Sequence, residues 1–127
     1  MTEQSLRQYL EHIAEFSAKA RGFCEDMTQE QLAADTKTLL AVERALEIAG
    51  EAASRVTQRY PQFAGQHPEV PWVRMAGMRN RLAHGYFDVQ MNVVWEVLTV
   101  RLPELDKLWP ALLEAAGAYL QGRGPAL

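Results

Sequence analysis

The fold of this chain is decided by residues 39–60, which read LLAVERALEIAGEAASRVTQRY. Apolar residues return here at alternating spacings of three and four, the pattern of an amphipathic α-helix that buries one face. Asp35 or Thr36 is a suitable N-cap, because its side-chain oxygen can accept a hydrogen bond from a free N–H of the first turn. The apolar positions are Leu39, Val42, Leu46, Ala49, Ala53, Val56 and Tyr60.

The polar side of the same helix carries a row of acidic residues. Glu43, Glu47 and Glu51 are spaced four apart and share a face, where like charges repel each other unless basic groups lie opposite. Small residues are also concentrated in this helix, and they predict that a second helix approaches it closely. These residues are Ala45, Ala49, Gly50, Ala52, Ala53 and Ser54.

The residues before this stretch predict a first helix over about 3–24. Thr28 and Gln31 then have the spacing of a capping box, in which each side chain bonds the backbone of the other residue. The apolar stripe of the first helix consists of Leu6, Leu10, Ile13, Ser17 and Ala20, again at spacings of four and three.

After the central stretch, residues 60–71 contain three prolines and one glycine and are predicted to form a loop. A third helix should begin at Pro71 and run to about residue 84, where Gly85 suits its C-terminus. A fourth begins near 89–92, and Pro103 and Pro110 each either kink it or start a new helix. Since no segment alternates with a period of two, we expect an all-α antiparallel bundle of four or five helices. The domain should cover residues 1–120, followed by a frayed, flexible tail over 121–127.

Composition narrows the class of protein. The chain has 127 residues with 18 Ala and 15 Leu against 17 Val, Ile and Thr together, a bias towards helix. A single cysteine, Cys24, excludes an intramolecular disulfide framework and a multi-cysteine metal site. No apolar run is long enough to cross a membrane and no signal pattern is present, so we expect a cytoplasmic protein. The formal charge of −3 argues against a general nucleic-acid coat.

That average conceals a local reversal of charge. Residues 70–87 contain Arg74, Arg79 and Arg81 and no acidic residue, so this segment carries +3 and the rest of the chain carries −6. Judged by charge alone, these arginines are more often solvated or paired with the acidic row of the central helix. The alternative is a basic patch that binds phosphate, since the planar guanidinium fork matches phosphate oxygens.

The residue types near these arginines favour phosphodiester chemistry. His84 titrates near neutrality and can transfer protons, Asn80 adds a polar positioning group, and Tyr86 brings a hydroxyl. A lone histidine near a helix end is more often a solvated side chain, so the grouping matters more than His84 itself. Arg79 and His84 are five residues apart and would lie about 140° apart on an ideal helix. Either the helix ends near residues 82–84, or two chains contribute to one cleft.

The eight residues 79–86, RNRLAHGY, resemble the R-x4-H-x-Y motif of HepT-like toxins of the HEPN superfamily. Residues 41–52, AVERALEIAGEA, are similar to a helix of the same family, and so are the pairs Pro71-Trp72, Val94-Trp95 and Leu102-Pro103. The resemblance covers roughly residues 5–110. The combination of the short motif with the 41–52 helix makes it more specific than the motif alone.

The resemblance implies an all-α homodimer with the motif at a cleft between subunits, acting as a metal-independent ribonuclease toxin without a cofactor. Arg79 would stabilise charge on the phosphate, His84 would act as general acid and base, and Asn80 matches the family's polar residue. Tyr86 matches the tyrosine that the antitoxin, a minimal nucleotidyltransferase, modifies with AMP. Such modification would place negative charge beside the site and block RNA. We expect Arg74 and Arg81 to support RNA binding, and Arg44 and Glu51 to have structural or interfacial roles.

The remaining candidates favour structural explanations. Cys24 has no positive neighbour to activate its thiol, so a buried or idle side chain is expected. His12 and His67 have no ligand-like partners in the sequence, and we predict no metal site. Two other functions stay open: a non-catalytic helical module that docks a nucleotidyltransferase and accepts AMP on Tyr86, and a plain dimerisation domain with a degenerate site.

Overall fold

The computed structural model describes residues 3–83 and 90–122. Every regular element in these two stretches is helical, so the predicted all-α class is confirmed. In chain order the helices are α1 (Glu3–Phe23), α2 (Gln29–Ala34), α3 (Thr36–Arg59), α4 (Pro61–Gln66), α5 (Trp72–Ala83), α6 (Met91–Glu96), α7 (Leu102–Asp106) and α8 (Trp109–Gly122), and a π-helical turn (Val97–Arg101) joins α6 to α7.

Helix α3 is the central element, as the periodicity of residues 39–60 predicts. Asp35 is its N-cap, with Oδ1 accepting the Thr38 N–H at 3.1 Å, and this hydrogen bond holds the pKa of the Asp35 carboxyl below its usual value. Helices α1 and α5 pack on α3 more extensively than any other element does. Of the predicted apolar positions on α3, Val42, Ala53 and Val56 are completely buried.

Helix α1 lies antiparallel to α3. The guanidinium of Arg59, at the end of α3, lies 6.0 Å from the centre of the Tyr9 ring, in the first half of α1. The stripe predicted for the first helix is buried throughout and faces the core: Leu6, Leu10, Ile13, Ser17 and Ala20. The bundle is therefore built on the two helices whose sequence patterns are clearest.

Two short helices extend this plan. Thr28 and Gln31 form the predicted capping box and start the six-residue helix α2. The predicted loop over 60–71 is wrong for residues 61–66, which form α4. The physical reason is that Pro61 occupies the first turn, where its missing N–H would have no partner in any case, while Phe63 is fully buried. The indole N–H of Trp72 donates to the carbonyls of Ala64 (3.2 Å) and His67 (3.1 Å) and ties α4 to the start of α5.

Pro103 and Pro110 both lie in the first turn of a helix. Ahead of Pro103 the chain makes the π-helical turn, in which the Leu102 N–H bonds the Val97 carbonyl. If α6, this turn and α7 are taken as one segment, the described part of the chain contains five long helical segments, within the predicted four or five.

Two sequence predictions fall on the boundaries of the described residues. Helix α8 includes residues 121 and 122, which were expected to begin the tail, and residues 123–127 lie outside the described part. His84, Gly85 and Tyr86 also lie outside it, in the segment 84–89. Over 3–83 and 90–122, no helix is both long and apolar enough to cross a membrane.

Candidate functional site

Helices α3 and α5 approach each other very closely at Gly50. A Cβ atom on residue 50 would lie 2.5 Å from the Arg79 Cβ and 2.5 Å from the Met75 carbonyl oxygen, closer than real Cβ contacts allow. Only glycine fits here without moving one of the helices. The prediction that small residues of α3 admit a second helix is therefore confirmed at Gly50. The contact at Gly50 fixes where Arg79 of α5 lies against α3.

Arg79 is held by the residue next to this contact. Its Nε lies 2.8 Å from Glu51 Oε1, and Arg55 Nε donates to Glu51 Oε2, also at 2.8 Å. The buried Nε–H of Arg79 is not aligned with an acceptor, so its contact with Glu51 is an ion pair rather than a directed hydrogen bond. Arg79 Nη1 donates to Asn80 Oδ1 at 2.9 Å. One carboxylate thus joins two arginines, and Asn80 holds the other side of the Arg79 guanidinium.

These side chains line a groove of about 380 Å³ along the outer side of α3. Helix α1 forms one wall, and Arg79 of α5 contributes to the other. We call this the arginine groove; its lining residues are Tyr9, His12, Arg44, Glu47, Ile48, Glu51, Ala52, Arg55 and Arg79. With three arginines against two glutamates, the lining carries a net positive charge, which suits an anionic ligand.

The three glutamates of the acidic row on α3 have different surroundings. Glu51 faces Arg55 and Arg79, and Glu47 Oε1 accepts from Arg44 Nη1 at 2.9 Å. Glu43 is half-buried, and burial raises the pKa of its carboxyl. Two members of the row therefore have basic partners, Glu47 from α3 itself and Glu51 from both α3 and α5, which relieves the repulsion that the spacing implies.

The structure separates the three arginines of the 70–87 segment. Arg79 packs against α3, whereas Arg74 and Arg81 are exposed. Five and two residues from Arg79, they lie about 140° and 160° away from it around the axis of α5. The interpretation that these arginines pair with the acidic row is right for Arg79. The structure does not bring Arg74 or Arg81 to the arginine groove.

Of the predicted pair of Arg79 and His84, the structure describes Arg79. Arg79 and Asn80 are in contact with each other, while His84 and Tyr86 lie outside the described residues. The distance between Arg79 and His84, and the position of Tyr86, stay predictions from the sequence.

Several residues of the groove were missed by sequence reasoning. The sequence offers His12 no partner along the chain, but folding places it in the wall of the groove with Tyr9, opposite α3. Arg55 could have been found, because its spacing of four from Glu51 is that of a helical ion pair. Tyr9 and His12 carry no such local signal, since α1 meets α3 only in the folded chain.

The other titratable candidates behave as structural groups. Cys24 is buried, its thiol donates to the Ala20 carbonyl at 3.4 Å, and burial raises its pKa, which confirms the expected inert thiol. His67 Nδ1 lies 3.1 Å from a Glu69 carboxylate oxygen. In the two described ranges, no three His, Cys, Asp or Glu side chains are grouped as metal ligands would be.

An all-α helical bundle is the fold class that the sequence resemblance implies. Comparison with known families identifies it: the family model described as HepT-like, "Ribonuclease HepT-like", matches residues 6–112. The match spans most of the chain, and the chain belongs to the HepT-like family.

Individual relatives agree with this assignment. A Thermococcus cleftensis protein named "Probable ribonuclease HepT" is 39% identical over 103 residues, which is 81% of this chain and 91% of that protein. A Methanocaldococcus jannaschii protein named "Putative RNase" is 33% identical, over 81% of this chain and 83% of that protein. A Caldanaerobacter subterraneus protein, also named "Putative RNase", is 34% identical, over 85% of this chain and 94% of that protein. No solved structure gave a significant match.

Proposed function

We propose that this protein is a ribonuclease toxin that cleaves RNA with Arg79 and His84. The observation that carries the proposal is the fixed position of Arg79 at a positively charged groove, in a chain of the HepT-like family. Relatives named as ribonucleases support the reaction class. The planar guanidinium suits a phosphodiester, because two of its N–H groups can meet two phosphate oxygens at once.

The roles of the residues follow from the charge that develops during cleavage. The guanidinium of Arg79 stabilises the additional negative charge on the phosphate oxygens in the transition state. His84 takes a proton from the attacking oxygen and returns one to the leaving oxygen. Asn80 keeps the guanidinium in place through the Nη1 hydrogen bond. Since arginine supplies the charge stabilisation and histidine the proton transfer, we propose that the reaction needs no metal ion.

The complete site is proposed to lie between two copies of the chain. The five-residue spacing of Arg79 and His84 disfavours a shared direction on one helix, and a second copy across the arginine groove would supply the missing side. The outer face of α3 also offers apolar contact, since Leu40 is 60% exposed and Ile48 lines the groove. Sedimentation over a range of concentrations tests this: a dimer is expected, and a monomer at assay concentration would contradict it.

The antitoxin of the pair is proposed to be a minimal nucleotidyltransferase that transfers AMP to Tyr86. Each transfer forms a bond between the tyrosine oxygen and the α-phosphate of ATP and releases pyrophosphate. The added phosphate brings negative charge close to Arg79 and repels the RNA backbone. Intact mass after incubation with ATP and the enzyme encoded beside this chain should increase by one adenylate. The same increase in Tyr86→Phe would refute the choice of residue.

Cleavage itself is tested by incubating purified protein with a labelled RNA in excess EDTA. Wild type is expected to cut, and His84→Ala to lose about 100- to 10,000-fold in rate, the usual contribution of general acid–base catalysis. Arg101→Ala is the control, since Arg101 is an exposed arginine whose described partners are Glu96 and Glu104 on its own surface. No cleavage by wild type, or equal cleavage by His84→Ala, would contradict the proposal. AMP transfer without cleavage would instead favour the non-catalytic acceptor module.

A further inference from the structure

Glu51 is shared between two arginines. Its Oε1 lies 2.8 Å from Arg79 Nε and its Oε2 accepts from Arg55 Nε at 2.8 Å. Because each oxygen of the Glu51 carboxylate contacts a different arginine, rotating the carboxylate would lengthen both contacts. Glu51 projects from the 24-residue helix α3, against which both α1 and α5 pack, so the carboxylate is anchored in the central element of the fold.

The contribution of these ion pairs to folding stability is small. The side chains of Glu51, Arg55 and Arg79 are 36%, 43% and 33% exposed, and pairs this accessible to water add little to the free energy of unfolding. The same contacts have a larger effect on the position of the Arg79 side chain, because the neighbouring Gly50 fixes the Arg79 Cβ against α3. The arrangement therefore defines where the guanidinium lies more than it stabilises the bundle.

The contacts also determine which part of the guanidinium faces a ligand. Glu51 lies at Nε, and Asn80 accepts from Nη1. Among the described residues no partner is assigned to Nη2, so this nitrogen is available to a phosphate oxygen. A guanidinium held at two nitrogens loses less conformational freedom when it meets a phosphate than a free one does.

Arg55 resolves a conflict of charge. A glutamate paired with Arg79 alone would neutralise it and compete with the phosphate for the same cation. Because Glu51 also pairs with Arg55, the three side chains together keep a charge of +1. The shared carboxylate can then orient Arg79 while the groove stays attractive to an anion.

We propose that Glu51 is a positioning residue for the Arg79 guanidinium, and that Arg55 both holds Glu51 and offsets its charge. The inference rests on the proposed RNA cleavage by Arg79, and it assigns a reaction-related role to a residue for which the sequence favoured a structural or interfacial one. Glu51 acts through Arg79 and makes no contact with RNA.

The test compares two glutamates that each pair with an arginine, one inside the arginine groove and one outside it. Glu51→Gln keeps the size of the side chain and removes the charge, and kcat on a labelled RNA is expected to fall about 10- to 100-fold while KM changes little. Glu96→Gln is the control, because Glu96 is exposed, lies outside the arginine groove and pairs with Arg101 rather than Arg79. Its kcat should stay within about twofold of wild type, the range expected for a surface substitution.

Two further measurements separate positioning from folding. Circular dichroism and sedimentation should be the same for wild type, Glu51→Gln and Glu96→Gln. In ¹⁵N spectra of the arginine side chains, Glu51→Gln should shift the Nε–H signals of Arg79 and Arg55, while Glu96→Gln leaves them in place. Arg55→Ala should raise KM more than it lowers kcat, since it leaves the Glu51 charge uncompensated.

The outcomes distinguish this inference from the function on which it rests. If wild type does not cut RNA, both the proposed cleavage and the positioning role of Glu51 are refuted. If wild type cuts, Arg79→Ala does not, and Glu51→Gln keeps the wild-type kcat, the positioning role alone is refuted. A kcat that rises in Glu51→Gln also refutes it, because Glu51 would then be competing with the phosphate.

Discussion

The two sides of helix α5 differ in what surrounds their arginines. On one side Arg79 is pressed against α3, with its Cβ fixed at Gly50 and its guanidinium held by Glu51 and Asn80. On the other side Arg74 and Arg81 are exposed, and the nearby Val73 is 82% exposed. The same residue type thus occurs packed against a neighbouring helix and exposed on the opposite side of one helix. Net charge identifies the segment, and packing against α3 distinguishes Arg79, the arginine for which we propose the catalytic role.

The largest effect should come from Arg79→Lys, which keeps the charge but removes the planar fork and the Nε contact with Glu51. We expect cleavage to slow by about 100-fold, because a lysine ammonium cannot take the same two-point position on a phosphate. Single-turnover rates on a labelled RNA measure this. A rate within a few-fold of wild type would mean that charge alone is sufficient on this side of α5.

Gly50→Ala tests the packing that fixes Arg79. The added methyl would overlap the Arg79 Cβ and the Met75 carbonyl, so unfolding in urea should show a loss of about 1–3 kcal/mol, as for other overpacked contacts. The matched variant is Gly77→Ala on α5, where an added Cβ meets nothing within 4 Å. It should be neutral or stabilise the helix by up to about 1 kcal/mol. Equal stability of the two variants would contradict the close contact at Gly50.

Arg74→Ala and Arg81→Ala test the exposed side. As supporting phosphate contacts they should raise KM a few-fold and leave kcat nearly unchanged, an effect of about 1 kcal/mol each that shrinks at high salt. KM measured at two salt concentrations provides the readout. A large loss of kcat in either variant would show that the exposed side of α5 takes part in the reaction.

The smallest effect is expected at Glu43, the member of the acidic row whose carboxyl pKa is raised by burial. A raised pKa in the folded state means that folding disfavours the charged form, so this cost is absent at low pH and appears as pH rises through the pKa. Glu43→Gln should therefore unfold at a slightly higher temperature than wild type at pH 7. The difference should vanish below about pH 4, where glutamate is protonated in both states. A destabilised variant at pH 7 would indicate a favourable charge contact for Glu43.

The sequence predicts the elements of this fold better than the contacts between them. The periods on α1 and α3, the Asp35 cap and the Thr28–Gln31 capping box are local signals, and all four are confirmed. Helix α4 was missed because prolines and a glycine are typical of loops, whereas burial of Phe63 depends on the rest of the fold.

The candidate site shows the same division. Arg79 and Asn80 could be named from a contiguous motif, and the acidic row indicated that basic partners were needed. The assignment of one of those partners to Arg79, and the presence of His12 and Tyr9 in the groove, depend on the packing of α1 and α5 against α3. Spacing along one helix carries no information on such contacts.

The central claim is that the arginine packed on α3, rather than the basic segment as a whole, carries metal-independent RNA cleavage. The most direct test is the cleavage rate of a labelled RNA in excess EDTA for wild type, Arg79→Ala and the double variant Arg74→Ala/Arg81→Ala. At saturating RNA we expect wild type and the double variant to cut at similar rates, and Arg79→Ala to be at least about 100-fold slower. Equal losses in both variants, or cleavage by Arg79→Ala at the wild-type rate, would contradict the account.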